Sequence, residues 1–205
     1  MKRILCLETE WGINSGKRLN DNASVRPMFQ FIESCKYLGG VTVTYKTVAT
    51  YEELRYYLSQ MPKKMYSDYD IVYLAFHGVK GKIQLYEAKE KNTVIRLVTL
   101  EELAYMCSHG DENSSHRWLS NKAVIFGTCQ TLSASESRVQ DFMQKSGACL
   151  VAGYRKTIDF THSSLLDIGL ITELIRPKPK YKSIKERMNM RYSGLMDELG
   201  MIIYE

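Results

Sequence analysis

The sequence predicts an α/β fold in which a mainly parallel central sheet is flanked by helices on both faces. Segments with strand character alternate with segments of helical spacing along the chain, and this order is typical of such sheets. Two short runs, residues 71–76 and Ala123–Phe126, are continuously apolar, as expected of parallel strands that are buried on both faces. The length of 205 residues indicates a single domain covering residues 1–205.

The first half of the chain is predicted to contain three strands and two helices. The strands cover residues 3–7, 41–48 and 71–76, and the second of these is rich in β-branched residues. Thr50 and Glu53 have the spacing of a capping box, which marks the start of the second helix. The apolar residues at helical spacing are Val25, Met28, Phe29 and Ile32 in the first helix, and Leu54, Tyr57, Leu58 and Met61 in the second.

The second half begins with a predicted hairpin of residues 82–86 and 94–98. Thr99 and Glu102 form a second capping box, which predicts a helix after the hairpin. The remaining predicted elements are a strand at 123–126, a helix from about 135, a strand at 148–152, helices at about 161–175 and 183–199, and an edge strand at 201–204.

Composition and the N-terminal residues exclude several classes of protein. Apolar residues make up 44% of the chain and charged residues 25%, which are ordinary values for a soluble globular protein. No uncharged apolar run approaches the roughly 20 residues that cross a bilayer. The first apolar stretch covers only residues 4–7 before Glu8 and Glu10, so it indicates a strand rather than a signal peptide. We therefore expect a cytoplasmic protein with no membrane partner.

The cysteines and histidines do not predict a metal or cofactor site. The chain has five cysteines, an odd number without short paired spacings, so neither a disulfide framework nor a four-cysteine zinc site is expected. Cys6 and Cys149 are expected to be small core residues. Cys107, His109 and His116 match no strong zinc pattern.

Positive charge is concentrated near the C-terminus. The net charge is +5, and the segment 176–191 alone contains seven basic residues and one acid. Such a segment can bind phosphate backbones or acidic partners, although a solvated surface is the more frequent explanation.

Two reactive residues follow the two most apolar strands. His77 and Gly78 come directly after residues 71–76, and Cys129 comes shortly after Ala123–Phe126. Ligand sites of parallel sheets lie beyond the carboxyl ends of the strands, so adjacent strands would bring the two side chains together. A cysteine nucleophile needs a base within hydrogen-bond reach. The backbone amides of Gly78 and Cys129 are the candidate oxyanion donors.

The blocks AFHG, ending at Gly78, and FGTCQT, ending at Thr131, resemble those of the caspase-like, or clan CD, cysteine peptidases, and within that group the bacterial CHAT branch. Cys129 follows His77 by 129 − 77 = 52 residues, close to the caspase offset. The resemblance covers about residues 70–174 and implies a three-layer caspase-like sandwich. Thr131 departs from caspases, which have glycine two residues after the cysteine.

The resemblance also implies where the substrate binds. Asp159 loosely matches an acidic residue that lies in the pocket for the residue before the scissile bond, where it would pair with an arginine or lysine side chain. Arg155 is the alternative, since a basic group would select an acidic side chain. Both remain open, as does the explanation that they are solvated loop charges.

Three functions follow from these observations. The first is a cysteine endopeptidase in regulated proteolysis, acting on a peptide or protein through an acyl-enzyme, with His77 as base and Cys129 as nucleophile. The second is a catalytically silent adaptor that keeps the caspase fold to bind a regulatory protein partner. The third is a nucleic-acid-binding regulator that uses the segment 176–191.

Overall fold

A computed structural model of the chain describes residues 2–9, 11, 24–35, 40–89, 92–108, 117–176 and 183–205. Within these residues the architecture has three layers, with a six-stranded sheet between two groups of helices. The strands of this sheet are β1 (Lys2–Glu8), β2 (Val41–Thr47), β3 (Ile71–Ala75), β7 (Ala123–Phe126), β8 (Leu150–Tyr154) and β9 (Met201–Tyr204). This confirms the predicted fold class.

A smaller sheet, six α-helices and two short 3₁₀-helices (Lys64–Tyr66 and Thr131–Ser133) complete the regular structure of the described residues. The strands of the smaller sheet are β4 (His77–Val79), β5 (Lys82–Lys89) and β6 (Asn92–Thr99). The helices are α1 (Arg26–Ser34), α2 (Tyr51–Gln60), α3 (Leu100–Ser108), α4 (Glu136–Ser146), α5 (Phe160–Ile175) and α6 (Ile184–Leu199). None of the helices in the described part of the chain is both long and apolar enough to cross a membrane.

The order of strands in the large sheet is β2-β1-β3-β7-β8-β9. The first five strands pair in parallel, and β9 pairs antiparallel with β8 at the edge. β3 and β7 are central, which explains why every residue of both strands is buried. Their carboxyl ends therefore lie side by side at one edge of the sheet.

The two faces of the large sheet carry separate apolar cores. Val72 and Leu74 face the core formed with α2, α3, α4 and the small sheet. Ile71, Tyr73 and Ala75 face the core formed with α1, α5 and α6. Because successive side chains of a strand point to opposite faces, both faces must be apolar, and this is why β3 appears in the sequence as a continuous apolar run.

Capping motifs in the sequence predicted where helices begin more accurately than apolar runs predicted where strands begin and end. Both predicted capping boxes are present, with reciprocal hydrogen bonds between Thr50 and Glu53 and between Thr99 and Glu102. The predicted hairpin is the antiparallel pair β5 and β6. The strand predicted at 148–152 is instead β8, two residues later, because the chain is still turning after Gly147, which has a φ of 81°.

One expectation about the cysteines was wrong. Cys149 is exposed rather than a core residue, because it precedes β8 in the bend, whereas Cys6 is buried as expected. His77 begins the short strand β4, whose residues pair with β5. The chain therefore passes from the large sheet into the small sheet within two residues, between Ala75 and His77.

Candidate active site

The candidate site lies at the carboxyl edge of the large sheet, beyond β3 and β7. These strands are parallel neighbours, and Leu74 is paired with Phe126. His77 and Cys129 each lie three residues further along, since 77 − 74 = 3 and 129 − 126 = 3. The sheet therefore brings these two strand ends to the same edge, which is where open α/β sheets bind ligands.

Gly78 packs directly against the backbone of Cys129. A Cβ atom at Gly78 would lie 1.9 Å from the carbonyl oxygen of Cys129 and 2.7 Å from Oγ1 of Thr131. Both distances are far shorter than any van der Waals contact, and the closer atom belongs to the backbone, so it has no side-chain rotation by which to move aside. Glycine is therefore required at this position for the two strand ends to touch.

The imidazole of His77 is half-buried and contacts Trp11. Nε2 lies 3.3 Å from the carbonyl oxygen of Trp11. The indole packs edge-on, with 4.9 Å between the ring centroids and an interplanar angle of 80°. Because a carbonyl oxygen only accepts hydrogen bonds, this contact favours the neutral tautomer with its proton on Nε2. Nδ1 is then the ring nitrogen that can accept a proton.

Cys129 is half-buried in a tight turn that is anchored on two sides. The next residue, Gln130, has a φ of 54°, in the left-handed region. Its N–H donates to the carbonyl of Lys156 at 3.0 Å, and its carbonyl accepts the N–H of Gly81 at 2.9 Å. Backbone in this region persists where surrounding structure holds it. Here the hairpin after β4 and the loop after β8 hold the turn from either side.

A buried carboxyl group lies on the α5 side of the same strand ends. A Cβ atom at Gly127 would lie 2.1 Å from the hydroxyl of Tyr73. That hydroxyl donates to Asp167 at 2.6 Å, and the hydroxyl of Tyr154 donates to the other carboxyl oxygen at 2.7 Å. Burial raises the pKa of Asp167 to about 7, although the two tyrosine hydrogen bonds act in the opposite direction.

The two predicted substrate-binding residues lie in the loop between β8 and α5. Asp159 caps α5, where its carboxylate accepts the N–H of His162 at 2.9 Å, and 59% of its side chain is exposed. Arg155 donates from Nη2 to the hydroxyl of Tyr204 at 3.1 Å, toward β9. The loop reaches the candidate turn through Lys156, whose carbonyl accepts the N–H of Gln130.

The basic segment has a buried acidic partner. The side chain of Glu173 in α5 is only 3% exposed, and it pairs with Arg176, Arg187 and Arg191. Arg187 is itself buried and donates from Nε to Glu173 at 2.9 Å. Arg187 and Arg191 therefore tie α6 to α5, while Arg176 pairs with Glu173 at the end of α5 itself. The lysines of the segment that lie outside the described residues are Lys178, Lys180 and Lys182.

The weak metal candidates do not come together in the described structure. Burial raises the pKa of Cys107 to about 12, so its thiol stays protonated. His109 and His116 lie outside the described residues. Among the side chains that the structure does describe, no group of three or more histidine, cysteine or acidic residues could hold a metal ion.

One family model, described as "Family of unknown function (DUF6642)", matches residues 1–205. The chain belongs to this family. The comparison with curated proteins gives no match.

Two solved caspase structures are similar to this DUF6642 chain. The crystal structure of caspase-1 from Spodoptera frugiperda is 15% identical with a TM-score of 0.47, and the match covers 84% of this chain and 67% of that chain. The crystal structure of the Drosophila initiator caspase Dronc is 9% identical with a TM-score of 0.47, and the match covers 92% of this chain and 71% of that chain. A likeness at this level of identity does not extend to activity.

Two residues beside the candidate site, Glu8 and Trp11, have no role that follows from the sequence. Trp11 contacts His77, and its indole N–H donates to the carboxylate of Glu8 at 2.9 Å. One sequence signal could have pointed to Glu8. It is an acidic residue that directly follows the apolar part of the first strand, where a buried charge requires partners.

Proposed function

We propose that the chain is a cysteine endopeptidase of the caspase-like type, with His77 as general base and Cys129 as nucleophile. The observation that carries this proposal is the equal offset of both residues beyond the paired Leu74 and Phe126, together with the packing of Gly78 on the Cys129 carbonyl. Nucleophilic cysteines require a base at short range. The placement of both residues beyond neighbouring, paired strand ends supports this pairing.

The proposed reaction is acyl transfer in two stages. Nδ1 of His77 takes the proton of the Cys129 thiol, and the thiolate attacks the carbonyl carbon of the scissile bond. The C–N bond breaks, the amine leaves with the proton from the imidazolium, and the acyl group stays as a thioester. Water then gives a proton to His77 and attacks the thioester, so that a carboxylic acid leaves and the thiol is restored.

The proposed oxyanion donors are the N–H groups of Gly78 and Cys129. β4 and β5 are joined by a two-residue turn with φ values of 30° and 80°, which corresponds to type I′. In such a hairpin Val79 and Lys82 form the hydrogen-bonded pair that closes the turn. The alternation of antiparallel pairs then makes Gly78 and Ile83 a non-hydrogen-bonded pair. The N–H of Gly78 is therefore expected to point away from β5, toward the outer edge of β4.

The proposed substrate is an extended segment of a peptide or protein. Both specificity candidates are exposed, but Arg155 donates to Tyr204 on the β9 side of the loop, whereas Asp159 lies at the start of α5. This arrangement favours Asp159 as the selecting residue, and hence cleavage after lysine or arginine. The resemblance to the CHAT branch implies a role in regulated proteolysis with a regulatory protein partner.

The test is cleavage of fluorogenic peptides and labelling by acyloxymethyl ketone peptides that carry arginine, lysine or aspartate before the scissile position. Cys129→Ala is expected to abolish cleavage and labelling. The matched control is Cys149→Ala, which removes an exposed cysteine elsewhere in the fold and is expected to retain both. His77→Gln is expected to lower the cleavage rate by at least about 100-fold, the contribution of a general base.

Two outcomes would contradict the proposal. Cleavage that persists in Cys129→Ala would assign the activity to other residues or to a contaminant. A wild-type protein that neither cleaves nor takes up the ketone probes, even with its cellular partners present, would favour the adaptor function instead.

A further inference from the structure

The carboxylate of Glu8 is a buried charge that the peptidase steps do not use. Glu8 ends β1 and is only 8% exposed. Its Oε1 accepts the indole N–H of Trp11 at 2.9 Å and the backbone N–H of Val25 at 2.7 Å, while Oε2 accepts the hydroxyl of Ser24 at 2.8 Å. A buried carboxylate with three donors is held in one orientation, because the loss of any donor would leave charge poorly compensated.

Glu8 lies beside the end of the strand that leads into His77. Glu8 is paired with Ala75 of β3, two residues before His77 (77 − 75 = 2). The carbonyl of Glu8 also accepts the N–H of Val48 at 2.8 Å. The position of the carboxylate relative to the imidazole is therefore set by paired strands, and Trp11 lies between the two groups.

Trp11 makes two separate contacts with His77, one through its carbonyl oxygen and one through its ring. For Nδ1 of His77 to take a proton from a thiol, as the proposed reaction requires, the ring proton must be on Nε2. The carbonyl of Trp11 favours this tautomer only while it stays within hydrogen-bond distance of Nε2. On the side away from His77, Trp11 is held to the large sheet by the hydrogen bond from its indole N–H to Glu8 at the end of β1.

We propose that Glu8 is a positioning residue, which acts through Trp11 to hold His77 in the tautomer that carries its proton on Nε2. The carboxylate orients the indole, and the backbone carbonyl of the same residue then accepts the imidazole N–H. The consequence for Cys129 rests on the proposed peptidase function, whereas the effect on the His77 tautomer does not.

The experiment measures the tautomer of His77 by long-range ¹H–¹⁵N correlation spectra of the full chain, with its ring signals identified by their loss in His77→Gln. The wild type is expected to show mainly the Nε2–H form when the ring is neutral. Trp11→Phe keeps an aromatic ring but removes the indole donor, and Glu8→Leu removes the acceptor at similar volume. Each is expected to lower the ratio of Nε2–H to Nδ1–H forms by at least about fivefold, in line with a hydrogen bond to a charged group.

Two further variants separate positioning from general stability. Glu8→Gln retains one carbonyl oxygen for the indole N–H, so it is expected to restore most of the wild-type ratio. Glu33→Gln is the matched control, since Glu33 also accepts a backbone N–H, that of Val43 at 2.8 Å, but lies on α1. It is expected to leave the His77 spectrum unchanged. Trp11→Phe decides the question alone if Glu8→Leu does not fold.

A wild-type tautomer ratio in folded Trp11→Phe would overturn the proposal. The rate at which iodoacetamide alkylates Cys129, resolved from the other cysteines by mass spectrometry, shows whether the peptidase function fails separately. A Cys129 rate that does not respond to His77→Gln would reject the dyad, while the spectra would still decide the role of Glu8.

Discussion

The sequence indicates two candidate functional regions, the site of His77 and Cys129 and the basic segment 176–191. The two regions differ in how the fold places their residues. His77 and Cys129 are 52 residues apart in the sequence (129 − 77 = 52) but end at the same edge of the sheet. The basic residues are close together in the sequence, yet three of the arginines pair with the buried Glu173. Residues that are far apart in the sequence therefore meet at one sheet edge, whereas arginines that are close in the sequence share one buried acidic partner.

The largest effect is expected from Gly78→Ala, which tests whether close packing joins the two halves of the site. The added Cβ would meet the Cys129 carbonyl oxygen at 1.9 Å, so the strand ends must separate. The alkylation rate of Cys129 by iodoacetamide at neutral pH is expected to fall by about 100-fold, as small displacements of reacting groups allow. Mass spectrometry of the Cys129 peptide provides the measurement.

The control for this variant is Gly194→Ala. A Cβ at Gly194, in α6, would meet no atom within 4 Å. It is therefore expected to leave Cys129 reactivity unchanged and to stabilise the helix by about 0.5–1 kcal/mol. Equal Cys129 rates in Gly78→Ala and the wild type would show that the packing does not matter for the site.

The second effect concerns the basic segment. Glu173→Ala removes the carboxylate that pairs with the buried Arg187 and is expected to lower the free energy of unfolding by about 3–5 kcal/mol. Urea unfolding provides the measurement, with Glu198→Ala on the exposed face of α6 as a control expected to change it by less than about 0.5 kcal/mol. If Glu173→Ala lowered nucleic-acid affinity but not stability, the segment 176–191 would be assigned to nucleic-acid binding rather than to holding α6 on α5.

The third effect is a pH dependence from Asp167. Its pKa is raised from 3.8 to about 7 in the folded chain, so the folded state binds more protons than the unfolded state between these values. Stability from this group is therefore present below about pH 4 and is lost as the pH rises through about 7. The asparagine of the Asp167→Asn variant does not titrate. As the pH rises from about 4 to about 7, the free energy of unfolding of this variant is therefore expected to rise relative to that of the wild type by up to about 1.4 kcal/mol per pH unit.

Urea unfolding at several pH values between 4 and 8 tests the Asp167 prediction. Because Tyr73 and Tyr154 donate to both carboxyl oxygens, Asn is expected to lower stability at the acid end, where the wild-type carboxyl is protonated. If the free energies of unfolding of the wild type and Asp167→Asn change in parallel from pH 4 to pH 8, Asp167 does not titrate between these values in the folded chain.

The smallest effect is expected in the hairpin that carries His77 and Gly78. Lys80 has a φ of 30° in the type I′ turn and is followed by Gly81. Asparagine is preferred at this position, so Lys80→Asn is expected to stabilise the chain by a few tenths of a kcal/mol up to about 1 kcal/mol. Thermal unfolding measures it, and a lower melting temperature would indicate that Lys80 has a contact that outweighs the backbone preference.

The parts of the fold that could be predicted are those that depend on neighbours in sequence. Capping boxes at Thr50 and Thr99 act over three residues, and the apolar run of β3 requires only that both faces of a strand are buried. The start of β8 was misplaced by two residues, because the left-handed turn at Gly147 and pairing with β7 decide where that strand begins.

The candidate site divides in the same way. The sequence by itself determined that His77 and Cys129 follow buried strands and that glycine accompanies each, because strand ends and turn residues are local signals. Only the tertiary structure decided that Gly78 packs on the Cys129 carbonyl, that Trp11 contacts His77, and that Glu8 holds Trp11. These contacts join separate strands and loops, and their partners depend on strand order and register, which no local pattern specifies.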